Sequence, residues 1–226
     1  CNANYISVTP SAALTGLSGG AIPIFGGVSL SMKKMNKIVA VDKENFQATV
    51  EPGVINEEFQ NVLKEHNLFY PPDPASKGSC TLGGNFALNA GGPKAVKYGV
   101  TSNYVLNLEV VLSNGDVFWT GANTLKNSTG YNLTQLIVGS EGTLAIITKA
   151  VLKLLPLPSE TILMLVPFRN DYHACDAVAD IMNHQIIPSG LEFMEAQAIN
   201  FVRDQKYHTI PFEINNKTSS YLLIEL

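Results

Sequence analysis

The sequence predicts an α+β protein in two parts, and three observations predict it. Short β-branched runs before Pro158 are interrupted by three segments rich in glycine, serine and threonine. Pro156 and Pro158 close that stretch, and a β-α-β-α-β order of elements follows it. Hydrophobic residues make up 46% of the chain and charged residues 15%, a composition that buries a core rather than remaining disordered. The boundary falls at Pro158, which gives a first domain over residues 1–157 and a second over 158–226.

Residues 6–9 are a short β-rich run, and residues 10–27 read as a loop because glycine, serine, threonine and alanine crowd them. Residues 38–41 and 47–51 read as strands, split by the polar turn Asp42-Lys43-Glu44-Asn45. Phe59, Val62, Leu63 and His66 share a helical face, so a helix is predicted over 56–67, with Glu57 and Glu58 in its first turn. Residues 71–92 form a second long loop; ordered loops of that length inside compact domains are usually functional. Residues 105–112 and 117–120 make a hairpin about Asn114-Gly115. Residues 133–138 lead into Gly139-Ser140-Glu141-Gly142, and 144–155 is again β-rich. In the second domain the order is strand 161–168, helix 171–183, strand 190–194, helix 196–203 and a strand from Tyr221 onward.

A net charge of −4 and a pI near 5.6 leave no basic footprint for a nucleic-acid partner. Cys1, Cys80 and Cys175 are odd in number and widely spaced, so neither a disulfide framework nor a zinc knuckle is expected, and a reducing compartment fits. His66, His173, His184 and His208 include no pair at helical ligand spacing, and no metal is expected. No apolar stretch has the length of a transmembrane helix, and no signal peptide is visible. The chain opens without a methionine and stops inside an apolar run, so both ends read as cut.

The three small-residue segments carry the chemistry. They are Thr15-Gly16-Leu17-Ser18-Gly19-Gly20-Ala21, then Thr81-Leu82-Gly83-Gly84-Asn85 with Asn89-Ala90-Gly91-Gly92, then Gly139-Ser140-Glu141-Gly142-Thr143-Leu144. Glycine lets successive backbone N–H groups converge on an anion, and hydroxyls add donors. A diphosphate-bearing ligand is the physical expectation for the first two; ligand-free tight turns are the alternative for any one of them. The P-loop, the G-x-G-x-x-G fingerprint and the G-x-S-x-G elbow are all absent.

The ordered set that includes Val8-Thr9-Pro10, the 15–21 segment, Val50-Glu51-Pro52-Gly53, Tyr70-Pro71-Pro72-Asp73-Pro74, Ser79-Cys80-Thr81-Leu82-Gly83-Gly84-Asn85, Asn89-Ala90-Gly91-Gly92, Lys97-Tyr98-Gly99 and the 139–144 segment resembles the FAD-linked oxidase family. Its FAD domain is of the vanillyl-alcohol oxidase type, and the nearest branch in style holds the glycolate oxidase FAD subunit, D-lactate dehydrogenase and D-2-hydroxyglutarate dehydrogenase. The resemblance runs from Val8 to Pro158. It implies two α/β subdomains, the first incomplete, followed by the start of an α+β cap domain.

It also implies roles. Thr15, Gly16, Ser18, Gly19 and Gly20 form the pyrophosphate loop. Pro74, Ser79, Thr81, Gly83, Gly84 and Asn85 line the FAD diphosphate, ribose and ring. Asn89, Gly91, Gly92 and Tyr98 shape the flavin pocket. Glu141, Gly142 and Ile146 meet the cofactor through backbone groups. Thr15 stands where some relatives attach flavin through histidine, so the FAD is expected to be non-covalent. Family members read Arg-Gly-Ala-Gly where this chain has Ser11-Ala12-Ala13-Leu14, so Ala12 and Leu14 are expected in strained left-handed backbone.

The implied activity is oxidation of a small D-2-hydroxy acid by hydride transfer to the flavin. A quinone, cytochrome or electron-transfer protein then accepts the electrons, in a cytoplasmic protein or one held at a membrane by a partner, as a homodimer or with accessory subunits. No catalytic residue is named, because the family's histidines lie further along; Glu192 and Glu195 read as exposed carboxylates at a helix start. Two alternatives stay open: a flavoenzyme of the same fold acting on another alcohol, and a non-catalytic subunit that binds FAD weakly.

Overall fold

The computed structural model describes residues 1–204 and 217–226; His208 lies outside them. The chain divides into two compact units. One comprises Cys1–Gly92 and Gly99–Pro158, the other Pro93–Tyr98 and Ser159–Leu226. The assignment of Pro93–Tyr98 to the second unit has no counterpart in the sequence reading.

In the first unit β1 (Val8–Ser11) pairs in parallel with β2 (Val28–Ser31). Sequence reasoning left Pro10 and β2 in or beside loop. Pro10 is tolerated because this sheet has only two strands, so each has a free edge. β3 (Ile38–Asp42) and β4 (Gln47–Val50) meet at a turn where Asp42 Oδ1 accepts the Asn45 N–H at 3.0 Å. α1 (Asn56–Lys64) buries Phe59 and Leu63 and stops before Asn67, whose φ of +58° turns the chain into β5 (Leu68–Phe69). The predicted loop over 71–92 contains a helix, α2 (Leu82–Leu88), which two consecutive glycines hid from a propensity reading. The short α3 (Ala95–Tyr98), which belongs to the second unit, follows in the chain. After it come β6 (Val105–Val111), β7 (Val117–Trp119), α4 (Leu133–Ile137), β8 (Ile146–Lys153) and β9 (Leu155–Pro156).

β3-β4-β8-β6-β7 form a five-stranded antiparallel sheet, with Ala48 opposite Leu152 and Ala150 flanked by Val50 and Leu108. All five of those side chains are buried, as are Phe59, Leu63, Tyr70, Leu82 and Phe86. Each large one stabilises the fold by about 1.5–3 kcal/mol relative to leaving it in water. Phe59 and Tyr104 both meet the Tyr70 ring edge-on, and burial pushes the Tyr70 phenol pKa up. On β6, partial burial acts to raise the Glu109 pKa. Hydrogen bonds from Lys149 and Thr148 and the Lys149 charge outweigh it and hold the carboxyl below its ordinary value.

In the second unit β10 (Leu163–Phe168), α5 (Asp171–Asn183), β11 (Gly190–Glu195), α6 (Ala196–Asp204) and β12 (Ser220–Glu225) follow one another. The antiparallel sheet order is β10-β12-β11. Strand alternation sorts β12: Leu222 and Ile224 pack with Ala174 of α5, and Tyr221 packs with Ala196 and Ile199 of α6. Asn170 caps α5 by accepting the Tyr172 N–H at 2.8 Å. Lys94 forms an ion pair with Glu225, which ties residues 93–98 to this sheet. Glu192 and Glu195 are exposed on β11.

Among the described residues no helix is long and apolar enough to cross a membrane, and no group of His, Cys, Asp or Glu could hold a metal. Cys1, Cys80 and Cys175 are free thiols, and only Cys80 is buried.

Candidate functional site

The first unit contains a cavity of about 830 Å³, within the size range of cofactor and ligand sites. Three stretches of chain make most of its wall, and Ser29, Met32 and Pro52 complete it. The first is 10–23; the second runs from Pro74 through Cys80 and α2 to Ala90; the third is Ser140–Gly142 with 145–147. Thr15, Gly16, Ser18, Gly19 and Gly20 line it from the first stretch. Pro74, Thr81, Gly83, Gly84 and Asn85 line it from the second, and Glu141, Gly142 and Ile146 from the third.

Five of the expected residues are not in this wall. Ser79 is exposed and donates its hydroxyl to the Ser76 carbonyl at 3.2 Å. Asn89 is spent on structure: it ends α2 at φ +51°, and its Oδ1 accepts the Ser102 N–H at 2.8 Å. Gly91 is absent from the lining. Gly92 sits against Asp73, whose carbonyl oxygen would lie 2.5 Å from an added Cβ. Tyr98 belongs to the second unit. Ser76, Cys80, Leu88 and Ala90 line the cavity without having been singled out as site residues.

The stretches are built differently. Among the described residues, no backbone N–H from Thr15 to Gly20 donates a hydrogen bond within the protein. In the second segment the Leu82 N–H goes to Val54 O and the Gly83 N–H to Pro52 O, both at 2.8 Å. In the third, the Gly139 and Glu141 N–H groups go to Phe86 O and Ala87 O at 2.8 and 2.9 Å, satisfying carbonyls at the end of α2. The Glu141 N–H is thus spent within the protein, and its carbonyl oxygen is the backbone group left for a ligand. Gly139, Glu141 and Gly142 take φ of +84°, +53° and +76°, which bends this loop back onto α2.

The wall approaches itself closely where side chains are missing. A Cβ on Gly16 would stand 3.3 Å from Leu88 Cδ1, and one on Gly20 would stand 3.0 Å from Glu141 Oε2. Ala12 keeps a negative φ, so its expected strain is absent, while Leu14 does take φ +64°. The Thr81 Oγ1 is buried with no partner and does not cap α2. A buried hydroxyl left unpaired costs about 1–3 kcal/mol, so this one suits a ligand acceptor. Unspent amide donors, an orphaned hydroxyl, a glycine cradle and apolar surface from Leu88, Ile146 and Ile147 together fit a large cofactor bearing a diphosphate.

Residues 1–121 match the FAD binding domain, and residues 157–226 match the C-terminal domain of FAD linked oxidases. The chain is 46% identical to a D-lactate dehydrogenase of Anaerostipes hadrus, over 88% of the chain and 42% of that protein. It is 42% identical to glycolate oxidase subunit GlcD of Bacillus subtilis strain 168, over 100% of the chain and 47% of the relative. A D-lactate dehydrogenase of Archaeoglobus fulgidus is 43% identical, over 82% of the chain and 41% of its own length. The chain thus spans less than half the length of these curated relatives. Alkyldihydroxyacetonephosphate synthase has the same fold, with a TM-score of 0.80 over 99% of the chain and 43% of that protein at 23% identity. The α+β architecture is that of the vanillyl-alcohol oxidase type. The chain belongs to the FAD-linked oxidase family, and its cofactor is FAD.

Proposed function

We propose that the protein is an FAD-dependent dehydrogenase that oxidises a small D-2-hydroxy acid, such as glycolate, D-lactate or D-2-hydroxyglutarate, to the 2-oxo acid. The observation that carries this is the similarity, at 42–46% identity, to a D-lactate dehydrogenase and a glycolate oxidase subunit over 88–100% of the chain. Electrons then pass to a quinone, cytochrome or electron-transfer protein. Because one relative is named as a subunit, accessory subunits are part of the proposal.

Bound in the cavity, FAD supplies two-electron redox chemistry. The residues of this chain hold it and keep water out. Unspent N–H groups over 15–20 cradle the diphosphate, Thr81 adds a hydroxyl donor, and Leu88, Ile146 and Ile147 cover apolar ring surface. Thr15 offers no imidazole for attachment, so the cofactor is non-covalent. A second reading, a subunit that binds FAD weakly, draws its support from the strained Leu14 in the same loop.

The test is spectroscopic. Flavin bands that survive desalting, are released by acid and bleach anaerobically on adding one of the three hydroxy acids are the expected result. A stable flavin that none of them bleaches rejects the substrate class. A protein that loses its flavin on desalting favours the second reading.

A further inference from the structure

Asn85, in the cavity wall, is one half of a buried amide pair whose orientation follows from its hydrogen-bond partners. Asn56, on α1, is fully buried, and Asn85, on α2, is 4% exposed. One end of the Asn56 amide lies 3.1 Å from the Pro72 carbonyl oxygen, which Gln60 Nε2 also approaches at 3.0 Å. A carbonyl oxygen only accepts, so the Asn56 atom facing it is Nδ2, and the other end of that amide is the acceptor Oδ1. Asn85 meets this Oδ1 at 3.1 Å and must present Nδ2 to it. The Asn85 carbonyl Oδ1 is therefore left over, and it makes no hydrogen bond within the described residues.

We infer that Asn56 is a positioning residue for the cofactor: it orders the Asn85 amide so that an acceptor, not a donor, is offered to FAD. The inference rests on the reading of this cavity as the FAD site. An acceptor repels diphosphate oxygens, so Asn85 reads an N–H of a ring system or a sugar or ribityl hydroxyl. The two helices are held in register for this. The Asn56 N–H donates to Cys80 O at 3.1 Å, and Ile55 bridges Thr81. The Asn85 main chain is satisfied by Thr81 O and the Ala90 N–H at 3.1 and 3.0 Å.

The test is a double-mutant cycle on FAD affinity, read by quenching of flavin fluorescence, with circular-dichroism melts of the cofactor-free protein beside it. Asn56→Ala and Asn85→Ala are each expected to raise the FAD dissociation constant about tenfold, the size of one good hydrogen bond. The double variant is expected to be no weaker than either single one. Additive losses, or an unchanged constant in Asn56→Ala, overturn the inference while leaving the FAD site in place. If Asn56→Ala does not fold, Asn56→Asp decides. Burial favours its neutral acid, which donates to Pro72 and accepts from Asn85, so FAD affinity within about threefold of wild type is expected. An Asn56→Asp protein as weak as Asn85→Ala overturns the inference. A wild-type protein that takes up no FAD overturns the site and the inference together.

Discussion

The 15–21 loop and the 81–85 segment both open on a threonine and carry adjacent glycines, and both line the cavity, yet they stand in the fold on different terms. The 15–21 loop is open: Leu17 is fully exposed, and no N–H from Thr15 to Gly20 is spent inside the protein among the described residues. The 81–85 segment is closed: Thr81, Leu82 and Asn85 are buried, and the Leu82 and Gly83 N–H groups bond Val54 and Pro52. Composition is therefore an ambiguous signal. In the first loop small residues leave donors free for an anion. In the second they let a helix lie against the Pro52 backbone, so the proposed FAD contacts fall to side chains, Thr81 and Asn85.

Adjacent glycines in α2 break this comparison most sharply. A Cβ on Gly83 would lie 2.5 Å from Pro52 Cβ and 2.9 Å from Pro52 O, where the backbone cannot yield cheaply. Gly83→Ala is expected to destabilise the cofactor-free protein by about 2 kcal/mol or more, seen as a lower midpoint in urea at unchanged slope. A Cβ on Gly84 would meet only Ala12 Cβ at 3.6 Å and Thr81 Oγ1 at 3.9 Å, ordinary contacts. Gly84→Ala gains helix propensity, so it is expected to stabilise by about 0.5–1 kcal/mol. Two neighbouring variants of opposite sign would establish that packing against the protein, not a ligand, dictates Gly83. Equal effects would undo the distinction between the segments.

What sequence reasoning recovered follows the same divide. α5 runs over Asp171–Asn183 as its apolar spacing predicts, because the pattern that buries Ala174 is local and the Asn170 cap is adjacent to it. β3, β4 and the turn between them are equally local. α2 was illegible because what makes Gly83 acceptable in a helix is Pro52, far away in sequence. β2 was hidden because its short Val28–Ser31 run is defined by its pairing with β1. In the site, thirteen of the eighteen residues that the motif resemblance singled out line the cavity. The resemblance placed weight on Ser79 where the structure turns Cys80 and Ser76 to the cavity, and on Asn89, whose amide oxygen accepts the Ser102 N–H. A motif records which residues recur together; it does not say whether each one holds the ligand or holds the loop.

The open loop supplies the smaller test. Leu14 sits at φ +64° with 65% of its surface exposed, so it pays left-handed strain and gains little burial in return. For an L-residue that conformation costs about 1–2 kcal/mol, and part of it is offset because glycine loses more backbone entropy on folding. Leu14→Gly is therefore expected to stabilise the cofactor-free protein by about 0.5 kcal/mol. On the proposed FAD reading it is also expected to tighten binding, because glycine holds the φ +64° backbone at less cost once the loop is ordered by the cofactor. Ala12 is the control two residues away. Its φ is negative, so Ala12→Gly relieves nothing and adds flexibility to the unfolded chain. A gain in Leu14→Gly with a loss in Ala12→Gly, measured by thermal melts and FAD titration side by side, ties the effect to one dihedral angle. Equal gains from both would mean that loop flexibility in general limits FAD binding, and Leu14 would lose its special place.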